Sequence, residues 1–278
     1  MFPQFAKRRA VMSHLLVIAA VYTALTSVSH VTFAFFPQSP AAEPDDNAGF
    51  TSIFDGKTLD GWDGDPAFWR AEDGSLIAES TPEKVVRSNT FLIWKGGAVR
   101  DFELKLEFRL SSEANSGIQY RSALVPEVSK WAMKGYQADL DGANSYTGMV
   151  YEERGRGFLA PRGQFSRMAE GRKLKLISTL GEADVLKGWI RAGEWNQMHV
   201  IAKGNMLLHI INGHVMAAFI DEDSKGMAIE GLLGLQLHQG KPMKIEFRSI
   251  YLKKIVSGLN FARSCTARRI DSCLRSRC

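Results

Sequence analysis

"WNQMHVIAKGNMLLHIINGHVMAAFID", residues 195–221, decides the fold class of this 278-residue chain. Apolar and polar residues alternate in runs 199–202, 206–211 and 214–220, and this period of two predicts β-strands. Asn212-Gly213 separates the last two runs, and both residues tolerate the positive φ of a type I′ hairpin turn. A similar break at 203–205 joins the first run to the second. The stretch therefore predicts three successive antiparallel strands.

Segments on either side continue this pattern. "DFELKLEFRL" (101–110) alternates strictly, and "GLLGLQLHQG" (231–240) and "MKIEFRSIYLKKI" (243–255) add two more strands, so at least eight are expected. Few or no helices are expected. Antiparallel strands without crossover helices predict an all-β sandwich or jelly roll. Residues 154–188 show no stable period, so a long loop is expected there.

The chain ends differ in composition from the middle. Residues 1–42 combine Lys7, Arg8 and Arg9 with an apolar run, which indicates a signal peptide or a membrane anchor with the start of a linker. Residues 43–49 read as a linker, 50–257 as the folded domain, and 258–278 as a basic, disordered tail. We therefore expect an exported protein, periplasmic, extracellular or tethered to the inner membrane.

Charge and cysteines exclude two classes of function. The net charge of +5 comes from the two ends, which leaves 27 basic and 29 acidic side chains in residues 43–257. No basic face is expected on the domain, so nucleic acid is not an expected partner. The cysteines are Cys265, Cys273 and Cys278, all in the tail, so the fold uses no disulfide and their spacing fits no zinc site.

Polar side chains recur on one face of three predicted strands. By parity these are Gln119 and Arg121 in "NSGIQYR", Gln137 and Asp139 in "GYQADLDG", and Gln236 and His238 in "LLGLQLHQG". A solvated face usually carries Lys and Glu, whereas this set contains amides, a guanidinium, a carboxylate and an imidazole. If the strands are neighbours, the set forms a polar platform for a ligand. Simple solvation of each residue is the alternative.

Further candidates flank the platform. "GMVYEERGRG" (148–157) offers Tyr151, Glu152 and Glu153, where a carboxylate could join the platform or simply be solvated. Asn115 begins the turn before Gln119. No cofactor is certain. A divalent metal bound by Asp139, His238 and Glu152 is left open by ligand type, although the spacing is not diagnostic. No metalloprotease, serine-hydrolase or phosphate-loop motif occurs.

Six segments in this order carry a family resemblance: "FTSIFDGKTLDGW", "NSGIQYR", "GYQADLDG", "GEWNQMHVIAKGN", "ING" and "LGLQLHQGKPMKIEFRSIYLKKI". Together, over about residues 50–255, they resemble the bacterial 3-keto-disaccharide hydrolase domain. The resemblance implies a concanavalin-like or laminin-G-like jelly roll that cleaves 3-keto-glycosides, as a hydrolase or a lyase. It also marks a departure, because many relatives carry Glu where this chain has Gln137, and an amide cannot act as a base.

The implied chemistry assigns hypothetical roles to the platform. A ketone at C3 acidifies the C2 hydrogen, so a base can start β-elimination of the C1 substituent, with or without rehydration. His238 or Asp139 would be base or acid, Arg121 and Gln137 would polarise the keto oxygen, and Glu152 is a further acid-base candidate. The substrate-binding candidates are Asn115, Gln119, Gln137, Tyr151 and Gln236. A non-catalytic, lectin-like carbohydrate-binding module is the alternative function, and an exported structural domain is a third.

Overall fold

The structure is a computed structural model that describes residues 47–256. The predicted signal or anchor, most of the linker and the tail lie outside the described residues. The elements in chain order are β1 (Thr51–Ser52), β2 (Trp62–Asp63), β3 (Trp69–Glu72), β4 (Ser75–Ser80), β5 (Thr90–Trp94), β6 (Phe102–Leu110), β7 (Asn115–Leu124), β8 (Met133–Asp141), β9 (Val150–Glu153), β10 (Gly157–Ala160), β11 (Gln164–Ala169), β12 (Lys173–Thr179), α1 (Ala183–Lys187), β13 (Asn196–Lys203), β14 (Met206–Ile211), β15 (His214–Asp221), β16 (Leu232–Leu237) and β17 (Met243–Lys254).

These strands form two sheets, as the sequence predicts for a sandwich. The ten-stranded sheet runs β12-β11-β15-β14-β13-β6-β17-β4-β3, with β1 paired to β17. The seven-stranded sheet runs β10-β9-β8-β7-β16-β5-β2. The predicted all-β jelly-roll fold is confirmed, and α1 is the single helix within residues 47–256.

The core lies between the sheets because one face of each strand is apolar. Along β6, Phe102, Leu104, Leu106 and Phe108 are buried and the residues between them are half-buried. The inward face of the seven-stranded sheet supplies a matching set, which includes Ile118, Tyr120, Tyr136, Ala138, Leu140 and Val150. Burial of these side chains is the main stabilising contribution to the sandwich.

The predicted three-strand meander is confirmed as β13, β14 and β15. Asn212 and Gly213 have φ of 50° and 82°, as a type I′ turn requires.

The prediction of a long loop over residues 154–188 is wrong. This segment contains β10, β11, β12 and α1. β11 pairs with β15 in parallel, the one parallel pair among the described strands. The prediction fails because β10 and β11 are short and lack a regular alternation, and because the alternation in β12 covers only residues 173–176 of an exposed strand.

No helix within residues 47–256 has the length and apolar character to cross a membrane.

Candidate functional site

A pocket lies on the face of the seven-stranded sheet that is turned away from the core. Its volume is about 200 Å³, which is smaller than the usual sites for drug-sized ligands. Five residues predicted from the sequence line it, and three others join them. The full lining is Asn115, Gln137, Asp139, Tyr146, Tyr151, Glu153, Phe158 and His238.

Strand register explains why these residues meet. Gln137 on β8 lies opposite Gln119 on β7 and Tyr151 on β9. Because side chains alternate along a strand, every second residue of these strands points to the same side. The side chain of Gln137 lies over Gly117, where a Cβ would stand 2.2 Å from Gln137 Cδ. Glycine at 117 is therefore required for the floor of the pocket.

Asp139 is the carboxyl group in the pocket with the strongest electrostatic perturbation. Its side chain is buried, with the residue only 6% exposed. Burial raises the pKa of Asp139 to about 7, and the negative charges of Asp141 and Glu153 act in the same direction. Leu140 N donates a hydrogen bond to Asp139 Oδ1 at 3.1 Å. Asp139 can therefore exchange a proton near neutral pH, as acid or as base.

Glu153 supplies a second carboxyl group to the pocket. It is held by the side-chain amide of Asn89, the residue just before β5. Asn89 Nδ2 donates to Glu153 Oε1 at 3.0 Å, and Asn89 Oδ1 accepts from Gln239 N at 3.0 Å. The segment before β5 therefore bridges β9 and the residues after β16. The backbone carbonyl of Gln239 in turn contacts the His238 ring.

An aromatic wall forms one side of the pocket. The rings of Tyr146 and Phe158 stack with centroids 5.3 Å apart, and Tyr151 meets Phe158 edge-on at 5.0 Å. Tyr146 and Phe158 remain 45% and 40% exposed, respectively. Exposed aromatic faces beside carboxyl and amide groups suit a ring that has one apolar face and several hydroxyl groups.

The loop that carries Tyr146 is fixed by two buried charged side chains. Asp141 accepts hydrogen bonds from the backbone N–H groups of Ser145, Tyr146 and Thr147. Arg162 donates to the carbonyl oxygens of Thr147 and Asn144 from below. These hydrogen bonds therefore fix the backbone of the loop from which the Tyr146 ring projects.

Gln119 and Gln236 lie behind the pocket and are fully buried. The Gln119 amide is 3.2 Å from that of Gln137, which is itself 3.3 Å from Asp139 Oδ1. Neither side-chain atom of the Gln236 amide has a hydrogen-bond partner within the described chain. An unpaired buried amide is destabilising, so Gln236 requires a reason beyond folding.

The expectation that Arg121 joins this face is wrong. A β-bulge in β7 shifts the register around residue 121, and Arg121 has a φ of 46°. Its guanidinium is buried and donates to Arg100 O at 2.8 Å, Gly204 O at 2.7 Å and Asp101 Oδ1 at 3.1 Å. Arg121 therefore ties β7 to neighbouring turns, and it does not line the pocket.

The expectation for Glu152 is also wrong. Glu152 lies opposite Tyr136, whose side chain packs in the core, so it faces inward. Arg156 Nε is 2.6 Å from Glu152 Oε2, and Arg156 Nη2 is 2.6 Å from Asp221 Oδ2. On β9 the carboxyl group that lines the pocket belongs to Glu153, two residues after Tyr151.

The trio Asp139, His238 and Glu152 does not form a metal centre, because Glu152 points away from the other two. Across residues 47–256 no group of three or more His, Cys, Asp or Glu side chains is placed to hold a metal ion. The donor set of the pocket thus does not fit a protein-held metal of the kind left open above.

The sequence prediction missed Asn89, Tyr146 and Phe158, and it named Glu153 beside Glu152 without choosing it for the site. Parity with Tyr151 could have identified Glu153, since residues 151 and 153 share a face of β9. Asn89, Tyr146 and Phe158 lie in two loops and in a short edge strand, where no periodic pattern is present.

Fold and pocket together define the class: a jelly-roll β-sandwich with a polar, aromatic-walled ligand pocket on one sheet. The sequence profile of the family described as 3-keto-alpha-glucoside-1,2-lyase-like domain matches residues 49–253. The chain belongs to this family.

Two further similarities accompany the family match. A protein of Bacteroides thetaiotaomicron named 3-keto-disaccharide hydrolase is 30% identical over 121 residues, which cover 37% of this chain and 40% of that protein. The aligned part is thus about two fifths of the relative. A solved structure from Parabacteroides distasonis, described provisionally as a glycosyl hydrolase, is 18% identical with a TM-score of 0.50. That match covers 75% of this chain and 95% of the other, and it shows the fold alone.

Proposed function

We propose that this protein cleaves glycosides whose glucose ring carries a ketone at C3, by β-elimination followed by addition of water. Family membership supports a carbohydrate-active enzyme of hydrolase type. One observation carries the assignment to this pocket: Asp139, a buried carboxyl group with a pKa of about 7, faces it together with Glu153. Export to the periplasm or the cell exterior remains part of the proposal.

The chemistry needs three kinds of group. A base removes the hydrogen on C2, hydrogen-bond donors stabilise the negative charge that develops on the C3 oxygen, and an acid protonates the leaving oxygen at C1. The products of elimination are an unsaturated 3-keto sugar and the free alcohol. Water then adds across the new C1–C2 double bond to give the 3-keto sugar.

The pocket offers a group for each step. We assign the base to Glu153, which Asn89 orients, and the proton donor to Asp139. The donors for the C3 oxygen are neutral: the amides of Asn115 and Gln137 and the hydroxyl of Tyr151. Arg121, which the sequence suggested for this role, contacts backbone and Asp101 instead.

The test is to incubate the purified protein with 3-keto-trehalose and with a 3-keto-α-glucoside and to follow products by mass spectrometry. We expect cleavage by the wild type, with the unsaturated 3-keto sugar detectable at early times. D139N and E153Q should each lose turnover while retaining substrate binding. D73N, the same substitution as D139N at an exposed turn residue outside the pocket, serves as the matched control and should retain turnover. Absence of cleavage of any 3-keto-glycoside by the folded wild type would contradict the proposal.

A carbohydrate-binding module is the second candidate, and the exposed Tyr146–Phe158 pair favours it. Such a module binds sugar through the same wall but has no turnover. If calorimetry shows binding of the unoxidised disaccharide as tight as that of the 3-keto form, and no product appears, the binding module is the correct assignment.

A further inference from the structure

The amide of Gln119 can be oriented from its partners alone. The O and N atoms of a glutamine amide have nearly the same shape, so hydrogen bonding decides which is which. One terminal atom of Gln119 lies 2.7 Å from Tyr136 O, 3.3 Å from Gly135 O and 2.7 Å from Ser122 Oγ. Backbone carbonyl oxygens only accept hydrogen bonds. This atom is therefore the amide nitrogen, and the opposite orientation would place three oxygens together.

Ser122 is consistent with this orientation. Its hydroxyl donates to Tyr120 O at 3.0 Å, so Ser122 Oγ is free to accept from the Gln119 nitrogen.

The orientation of Gln119 fixes that of Gln137. With its nitrogen turned toward the carbonyl oxygens, Gln119 presents its own oxygen to the nearest amide atom of Gln137, 3.2 Å away. That atom must then be the Gln137 nitrogen. The oxygen of Gln137 consequently faces Asp139 Oδ1 at 3.3 Å. Two oxygen atoms at this distance attract each other only if a proton lies between them.

We propose that Gln119 and Gln137 form an oriented amide relay, anchored on the carbonyl oxygens of Gly135 and Tyr136, which holds a proton on the carboxyl group of Asp139. The proton lies on Oδ1 and is donated to Gln137 Oε1, while Oδ1 still accepts from Leu140 N. Toward Asp139, Gln119 and Gln137 act as positioning residues, and the second N–H of Gln137 stays available for the C3 oxygen of the proposed substrate. The catalytic meaning rests on the proposed function, in which Asp139 is the proton donor.

The surroundings of Asp139 agree with a neutral carboxyl group. Burial and the nearby charges of Asp141 and Glu153 raise its pKa, whereas a Gln137 N–H donated to the carboxylate would lower it. Among the described residues that line the pocket, none is a lysine or an arginine. The groups around Asp139 are Asn115 on β7, Gln137 and Asp141 on β8, Tyr151 and Glu153 on β9, Tyr146 and Phe158 beside them, and His238 after β16.

The test is to titrate Asp139 by carboxyl carbon NMR in the full chain without substrate, with D139N used to assign its signal. The two orientations of Gln137 predict opposite effects for Q137M. If the Gln137 oxygen accepts the proton of Asp139, its loss removes a bond to the acid form, and the titration midpoint falls. If the nitrogen donates to a carboxylate, its loss raises the midpoint. A fall of about one pH unit is expected, and a rise or no change would overturn the relay.

Q119M tests the anchor. It frees Gln137 to turn its N–H toward Asp139, so the midpoint should fall again, whereas an unchanged midpoint contradicts the relay. S122A is the matched control, because it removes one contact of Gln119 and keeps both carbonyl acceptors; its midpoint should stay at the wild-type value.

A second measurement serves if a variant does not fold. Neutron diffraction from a deuterated wild-type crystal near pH 6 shows the atoms directly. A deuteron between Gln137 Oε1 and Asp139 Oδ1 supports the relay, and amide deuterons of Gln137 that point at Asp139 refute it. Neither experiment needs a substrate, so failure of the relay is distinguishable from failure of the proposed 3-keto-glycosidase activity.

Discussion

Replacing Asp139 by asparagine should make the protein more stable above neutral pH. The native fold holds this carboxyl group at a pKa of about 7, against an ordinary value of 3.8. Each pH unit between the two values is worth about 1.4 kcal/mol. The fully ionised group therefore opposes folding by about 4 kcal/mol at most. Asparagine has nearly the same shape and never ionises, so D139N escapes this destabilisation.

The direction follows from proton binding. Between pH 3.8 and about 7 the folded protein keeps a proton on Asp139 that the unfolded chain has released. The free energy of unfolding therefore falls as pH rises through this window, and it levels off above pH 7. The stabilisation that comes from the proton on Asp139 therefore has its full value below pH 3.8, the pKa of this group in the unfolded chain. D139N should match the wild type near pH 4 and exceed its stability at pH 8.

Urea unfolding followed by tryptophan fluorescence at pH 4.5, 6 and 8 measures this difference, using the six tryptophans of the chain. The control is D73N, which is the same substitution at an exposed turn residue with a φ of 49°. A constant difference between D139N and the wild type across this range would refute the assignment of a raised pKa to Asp139.

Three other predictions follow from the same geometry. Q236L should raise the free energy of unfolding by about 1–3 kcal/mol, since it removes a buried amide without partners. Calorimetry should show weaker binding of the 3-keto-glycoside to this variant. A less stable Q236L would contradict the prediction. R121M should lower the free energy of unfolding by about 3–5 kcal/mol because Asp101 loses its buried partner. The kcat per folded molecule should stay unchanged. A loss of kcat at full stability would instead place Arg121 in the catalytic machinery. Y146A and F158A should each raise KM several-fold with little change in stability, because both rings are largely exposed; an unchanged KM would exclude the wall from substrate binding.

Hydrophobic alternation was sufficient to predict the fold and part of the pocket. The strict pattern of 101–110 and the Asn212-Gly213 turn define β6 and the β14–β15 hairpin. The same parity argument brought Gln137 and Asp139 to one face with Asn115, because β7 and β8 pair as neighbours. Local sequence determines both features, so they are visible without the structure.

The errors arise where the local sequence pattern does not determine which face of the sheet a side chain occupies. Parity assigns Arg121 to the polar face only if β7 is regular. The bulge at this residue depends on the close approach of Gly135 and Gly231, where an added Cβ would clash with Ser122. In "VYEE" (150–153) the phase of a four-residue strand is ambiguous, so Glu152 was chosen where Glu153 lies in the pocket. Phe158 enters the site through the β9–β10 pairing, a long-range property of the sheet.

The anchoring of residues 144–147 by Asp141 and Arg162 has a consequence for the thermodynamics of recognition. Because the loop that carries Tyr146 is already ordered before a ligand binds, it loses little conformational entropy when a sugar ring packs against it. Association should consequently be fast and free of a slow rearrangement phase. Selectivity among sugars should then come from how well their shape matches a fixed surface, since the surface does not adapt to them.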